Sequence, residues 1–189
     1  MNVVALQPDI KQRINHVEFV HPPGERELVK ALFDLLGFGT VELRDGDVVI
    51  GVVDTDTYDD TENDNYLAGR EVRPIQWDFD QALAKALKEE PLKASFEQHR
   101  DMLDERPQWG MHFGIRLNSP EAWEDAIARL SDIEKHAPIL KGRVKLVRTF
   151  RPTDADQPYP FYQAFFWTDV IASGSLALGQ RIELTTRLL

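Results

Sequence analysis

Two histidines stand at matching places in the chain and define its first candidate chemistry. His16 lies in INHVEFV (residues 14–20) and His112 in MHFGIRL (111–117). Both runs alternate as strands do, with Val17 and Phe19 on one face and His16 and Glu18 on the other. Phe113 and Ile115 likewise stand opposite His112. If the apolar residues pack under helices, both imidazoles face the other way, where they can bind a metal. The plainer reading is two hydrogen-bonded strand histidines with no chemistry. The 189-residue chain has no cysteine, so thiolate metal sites, disulfides and cysteine nucleophiles are excluded. It also lacks a Gly-rich phosphate loop, a G-x-S-x-G elbow and an H-E-x-x-H pair.

The elements that must carry these histidines repeat. Glu25 to Leu36 reads as a helix with Leu28, Leu32 and Leu35 on its apolar face, left through Gly37. Residues 38–43 and 48–53 read as strands joined by a hairpin at Asp45-Gly46. An acidic loop, 54–64, fails the calcium-loop pattern because Asp59 stands where glycine is needed. Residues 66–73 give a fourth strand. Two helices, 78–90 and 92–105, follow as a connector. The opening pattern then returns: a strand at 111–117, a helix capped by Ser119 with Pro120 in its first turn and running to about Lys135, and strands within 139–151, 161–170 and 176–187. Each half thus reads strand, helix, three strands. The expected fold is α+β: two fused βαβββ modules (1–75 and 109–189) joined by a helical connector (76–108) in one structural domain.

With a formal net charge of -10 and no visible basic patch, the chain is not expected to bind nucleic acid. Hydrophobic residues make up 42% and no apolar run is long enough to span a bilayer. No signal peptide is evident from the start of the chain. The expected setting is cytoplasmic.

INHVEFV followed by LVKALFDLLGFG, then HFGIRL, then LALGQRIELTTR resembles, in that order, the vicinal-oxygen-chelate superfamily of glyoxalases, bleomycin-resistance proteins and extradiol dioxygenases. The resemblance covers roughly 14–73 and 109–187, and the long connector departs from it. It implies a cleft between the two modules, with His16 and His112 as first-strand metal ligands and Glu183 as the last-strand carboxylate. Two imidazoles and a carboxylate suit a divalent transition metal such as Zn, Ni, Mn or Fe. Aligning Gly69 with Gly179 sets Arg73, which cannot bind metal, opposite Glu183. Glu71, two residues earlier on the same face, is either a fourth ligand in a shifted register or outside a three-ligand site, and a carboxylate freed from the metal, or Glu71 itself, is the expected catalytic proton carrier. Ring-cleaving dioxygenases need a further inner-strand histidine, and FYQAFFWT (161–168) offers Gln163 instead.

The resemblance therefore implies a metal-dependent lyase, isomerase or oxygenase acting on a small oxygen-rich substrate, with Arg73, Arg116 and Gln163 as substrate contacts and a homodimer as the assembly. Glu18 and Arg116, each two residues after a candidate ligand and facing the same way, are open to substrate contact, but an ion pair between them across the modules is the preferred expectation. The alternative is a metal-free small-molecule binding protein of the sequestering type, and Arg73 in the ligand position favours it.

Overall fold

The computed structural model describes residues 15–42, 48–54, 65–157 and 160–187. The Asp45-Gly46 hairpin and nearly all of the acidic stretch lie outside them. Among the described residues there are eight strands and five α-helices. The first half runs β1 (His16–His21), α1 (Arg26–Leu36), β2 (Gly39–Glu42), β3 (Val48–Val52) and β4 (Tyr66–Glu71). The connector is α2 (Pro74–Ala86) and α3 (Leu92–Glu105), with a 3-10 turn at Pro107–Trp109. The second half runs β5 (Phe113–Arg116), α4 (Pro120–Ser131), α5 (Ile133–His136), β6 (Val144–Phe150), β7 (Phe161–Thr168) and β8 (Gln180–Arg187). No helix is long and apolar enough to cross a membrane among the described residues.

The strands form two four-stranded mixed sheets, ordered β1-β4-β3-β2 and β5-β8-β7-β6. In each, the opening strand pairs in parallel with the last strand of its half, and the remaining pairs are antiparallel. The repeat read from sequence is therefore present as a repeat of topology.

One core joins the halves. The buried face of α1 (Val29, Leu32, Phe33, Leu35, Leu36) and that of α4 (Trp123, Ala126, Ile127, Leu130) belong to a single cluster with Phe19, Ile115, Ile182 and Leu184. Burying each of these large side chains contributes roughly 1.5–3 kcal/mol. The Trp123 indole N–H donates to Leu184 O at 3.0 Å, which satisfies its one polar atom inside that core. Phe19 of β1 meets Phe113 of β5 with ring centroids 5.1 Å apart. Val20 and Ala172 exchange two backbone hydrogen bonds of 2.9 and 3.0 Å. Arg129 Nε donates to Leu35 O, and Arg143 clasps Glu25 of the first half at 2.7 and 3.1 Å.

Local chemistry accounts for the element ends. Ser119 accepts a hydrogen bond from Ala122 N and caps α4, and Gly37 takes the left-handed conformation that ends α1. α2 begins four residues before the expected Asp78, because Pro74 suits a first helical position and Arg73 supplies the extended residue before it. The expected helix to Lys135 breaks at Asp132, whose carboxylate turns back to cap α5 through Lys135 N. His21, which the Pro-rich stretch after it would place at the surface, is instead 2% exposed, and its Nδ1 meets Pro22 O at 2.8 Å.

Candidate functional site

Val17, Phe19, Phe113 and Ile115 all pack with the helices, so the opposite face of each sheet carries the polar residues of β1 and β5. On the second sheet the ladder sets Gly114, Glu183 and Phe165 in one row across β5, β8 and β7. The equivalent row of the first sheet, counted from His16 as the other is from His112, is Glu18, Ala68 and Ile50. Ala68, not Arg73, therefore corresponds to Glu183. The first module carries its carboxylate on the opening strand, and the second carries it on the closing strand.

The second row has the chemistry. His112 Nε2 lies 3.3 Å from Glu183 Oε2. His112 Nδ1 lies 2.8 Å from the carbonyl oxygen of Gly110, and Gln163 Nε2 donates to Glu183 Oε1 at 2.6 Å. Both ring nitrogens of His112 face acceptors, and only a doubly protonated imidazole has two N–H groups to give. The Glu183 carboxylate beside the ring pushes the His112 pKa above its ordinary value; partial burial opposes this, and the Gly110 carbonyl adds to the rise. The ring sits edge-on to Phe165 at 5.2 Å. The side chains are 22% (His112) and 12% (Glu183) exposed, so the pair is largely but not completely covered.

Gly114 makes this contact possible, and sequence reading missed it. A Cβ there would stand 3.3 Å from Glu183 Oε2, so its absence lets the carboxylate lie across β5 towards His112. A glycine inside a strand, in HFGIR, was the available signal.

The connector packs beside the pair. Asp104 at the end of α3 binds Lys145 of β6 and Arg181 of β8, each at 2.8 Å. Arg148 donates to Glu105 O at 2.6 Å. The chain then makes its 3-10 turn and delivers the Gly110 carbonyl to His112. Burial alone would raise the Asp104 pKa, but hydrogen bonds from Lys145 and Arg181 outweigh it and hold it below the usual value. Arg181 is 8% exposed, and its Nη1 has no hydrogen-bond partner among the described residues. It points from the same face of β8 as Glu183, two residues away.

The other expected site residues lie elsewhere. His16 is exposed; its Nδ1 contacts Asn15 Oδ1 at 2.6 Å and its ring stacks on Tyr66 at 5.1 Å. Glu71 is across from His21, on the helix-side face of β4 and not on the face of His16, and accepts the Gly24 N–H at 2.9 Å. Arg73 is the exposed residue before α2. Arg116 is exposed on β5, across from Thr185. Glu18 contacts Arg70 of its own sheet at 3.6 Å, so the expected Glu18–Arg116 pairing across the modules is replaced. Among the described residues no three His, Asp or Glu side chains gather closely enough to hold a metal. His112, Glu183 and Gln163 are thus brought together, and His16, Glu71, Arg73 and Arg116 are not.

Compared with models of known protein families and with curated proteins, the chain matches none.

Proposed function

We propose that the chain is a small-molecule binding protein of the glyoxalase-like, vicinal-oxygen-chelate type, whose ligand docks on the polar face of the second sheet. The observation that carries this reading is the position of His112 between two acceptors, Gly110 O and Glu183, with Gln163 holding the second carboxylate oxygen. A ligand that displaces one contact of the pair meets a donor in the imidazole N–H and an acceptor in the carboxylate, which suits an oxygen-rich molecule. If the ligand is chemically altered there, the pair is suited to move one proton between a carbonyl and a neighbouring carbon. Arg181 Nη1 adds a buried donor on the same face.

The test is a screen of small carbonyl and hydroxy-acid compounds by amide chemical-shift mapping. Binding predicts shifts centred on Gly114, Gln163, Phe165 and Glu183 that vanish in His112→Ala. Ligands that shift only other regions, or bind His112→Ala equally well, contradict it.

A second reading is favoured by one distance. Two donors each about 2.1 Å from a shared zinc-like ion stand about 3.0–3.4 Å apart when they subtend a right to tetrahedral angle. The 3.3 Å between His112 and Glu183 fits that, and a backbone acceptor on the distal ring nitrogen is the usual support of a metal-binding histidine. Two protein ligands are nevertheless an incomplete set. His16 would complete it only by leaving Asn15 and Tyr66, and Ala68 supplies nothing where the first module would offer a carboxylate. The donor set therefore does not fit a resident metal as it stands.

A further inference from the structure

One side of α2 ties it to the rest of the protein. Gln76 Nε2 donates to Gly174 O at 3.3 Å, the Ser175 hydroxyl donates to Asp80, and Trp77 packs with Val72, Ala172 and Leu176. Another side faces solvent and carries large apolar residues. Ile75 is 83% exposed and Phe79 is 60% exposed. Ala82 and Ala86 continue their line along the helix. From Ile75 through Phe79 and Ala82 to Ala86 the steps are four, three and four residues, the spacing of a coiled-coil seam. Single apolar residues are ordinary on a protein surface, but a seam of them marks an interface.

The order of sizes along the seam selects its occupant. The two large side chains stand in the first half of α2 and the two alanines in the second. Consider two copies of α2 packed antiparallel about a two-fold axis that passes near Gln81. Ile75 then lies over the partner's Ala86, and Phe79 over the partner's Ala82, so each large side chain enters the hollow above a small one. The alanines also let the helix axes approach to about 8 Å. A parallel pair would set large against large and leave gaps at the alanines. The charges agree. Asp78 and Lys85 share one flank of the seam, are exposed, and have no ion-pair partner among the described residues. The two-fold keeps that flank together while reversing the helix direction. Asp78 therefore falls beside the partner's Lys85, and Lys85 beside the partner's Asp78. A parallel pair would face each charge with its own kind.

We infer that the protein dimerises through α2, packed antiparallel on the α2 of a second copy, with Phe79 and Ile75 filling the seam and Asp78–Lys85 pairs fixing the register. The surface belongs to the connector, outside both sheets. The inference is independent of the ligand reading and of the His112–Glu183 pair.

Sedimentation velocity of the full chain from about 1 to 200 μM tests it. A dimer is expected, with a dissociation constant on the order of 10 μM, as suits an interface of modest area. Phe79→Glu is expected to weaken it at least about tenfold with Tm unchanged, because that ring is already exposed. Asp78→Lys and Lys85→Asp each place like charges across the two-fold, and each is expected to weaken the dimer by about fivefold or more. The combined variant restores opposite charges and is expected to recover wild-type affinity to within about twofold. A monomer throughout the range overturns the inference. So does a dimer that survives Phe79→Glu, that is indifferent to the single reversals, or that the combined reversal fails to restore.

Discussion

His112 Nε2 reaches Glu183 Oε2 at 3.3 Å across the space above Gly114, the one residue between them on β5 with no side chain. A Cβ at 114 would press on the carboxylate at 3.3 Å, tighter than ordinary packing. Gly114→Ala should move Glu183 by a few tenths of an ångström, and Gly114→Val should displace it. The measurement is the His112 pKa by proton NMR: raised in the wild type, lower in Gly114→Ala, and close to the ordinary histidine value in Gly114→Val.

The same pair makes stability depend on pH with a definite sign. His112 has a raised folded-state pKa, caused first by Glu183. The stabilisation is therefore fully present below the unfolded value of about 6.5 and is lost as pH climbs through the folded value. Urea unfolding of the wild type and His112→Gln between pH 5.5 and 9 should show the largest stability difference at the acid end, shrinking upwards. Glu183→Gln should flatten that dependence.

Gly179 tests the turn that sets the β8 register, and hence the position of Glu183. Its φ is +68°, and a Cβ would stand 2.5 Å from Trp167 Nε1 and 2.7 Å from Thr168 O. The left-handed conformation costs an L-residue about 1–2 kcal/mol, and the backbone contact cannot relax through side-chain movement. Gly179→Ala is expected to destabilise by about 2–4 kcal/mol in chemical denaturation, with the Gln163–Glu183 contact disturbed.

Much of this arrangement is legible in the sequence. Period-two alternation placed Val17, Phe19, Phe113 and Ile115 with the helices, and the matched strand–helix–three-strand order appears as two sheets of identical strand order. Leu92–Glu105 was bounded by Pro91 and Pro107 and forms where those prolines allow. Cross-strand register was not legible. The Gly69–Gly179 match set Arg73 against Glu183, whereas pairing puts Ala68 there, because register is fixed by hydrogen bonding between distant segments and leaves no local mark. Burial of polar residues was equally hidden. His21 and Asp80 look like surface residues until the 172–175 segment and Pro22 are folded against them.

Arg143 tests whether the two halves are held by charge as well as by their shared core. It binds Glu25 of the first half and Asp169 of its own, and those carboxylates raise its pKa against the effect of burial. Its side chain is 26% exposed, so solvent screening discounts the pair. Arg143→Met should lower stability by roughly 1–2 kcal/mol, less at 1 M salt. Glu25→Gln should lower it by a smaller amount, and the double variant should show coupling rather than additivity.

Metal content decides most directly between the His112–Glu183 pair as an ion pair and as half of a metal centre. Untagged protein purified without chelator, analysed for transition elements and titrated with Zn, Ni, Mn and Fe(II), is expected to carry well under one ion per chain and to gain none tightly. About one ion per chain, lost in both His112→Ala and His16→Ala, would contradict the metal-free reading and show that His16 leaves Tyr66 to complete a three-ligand site.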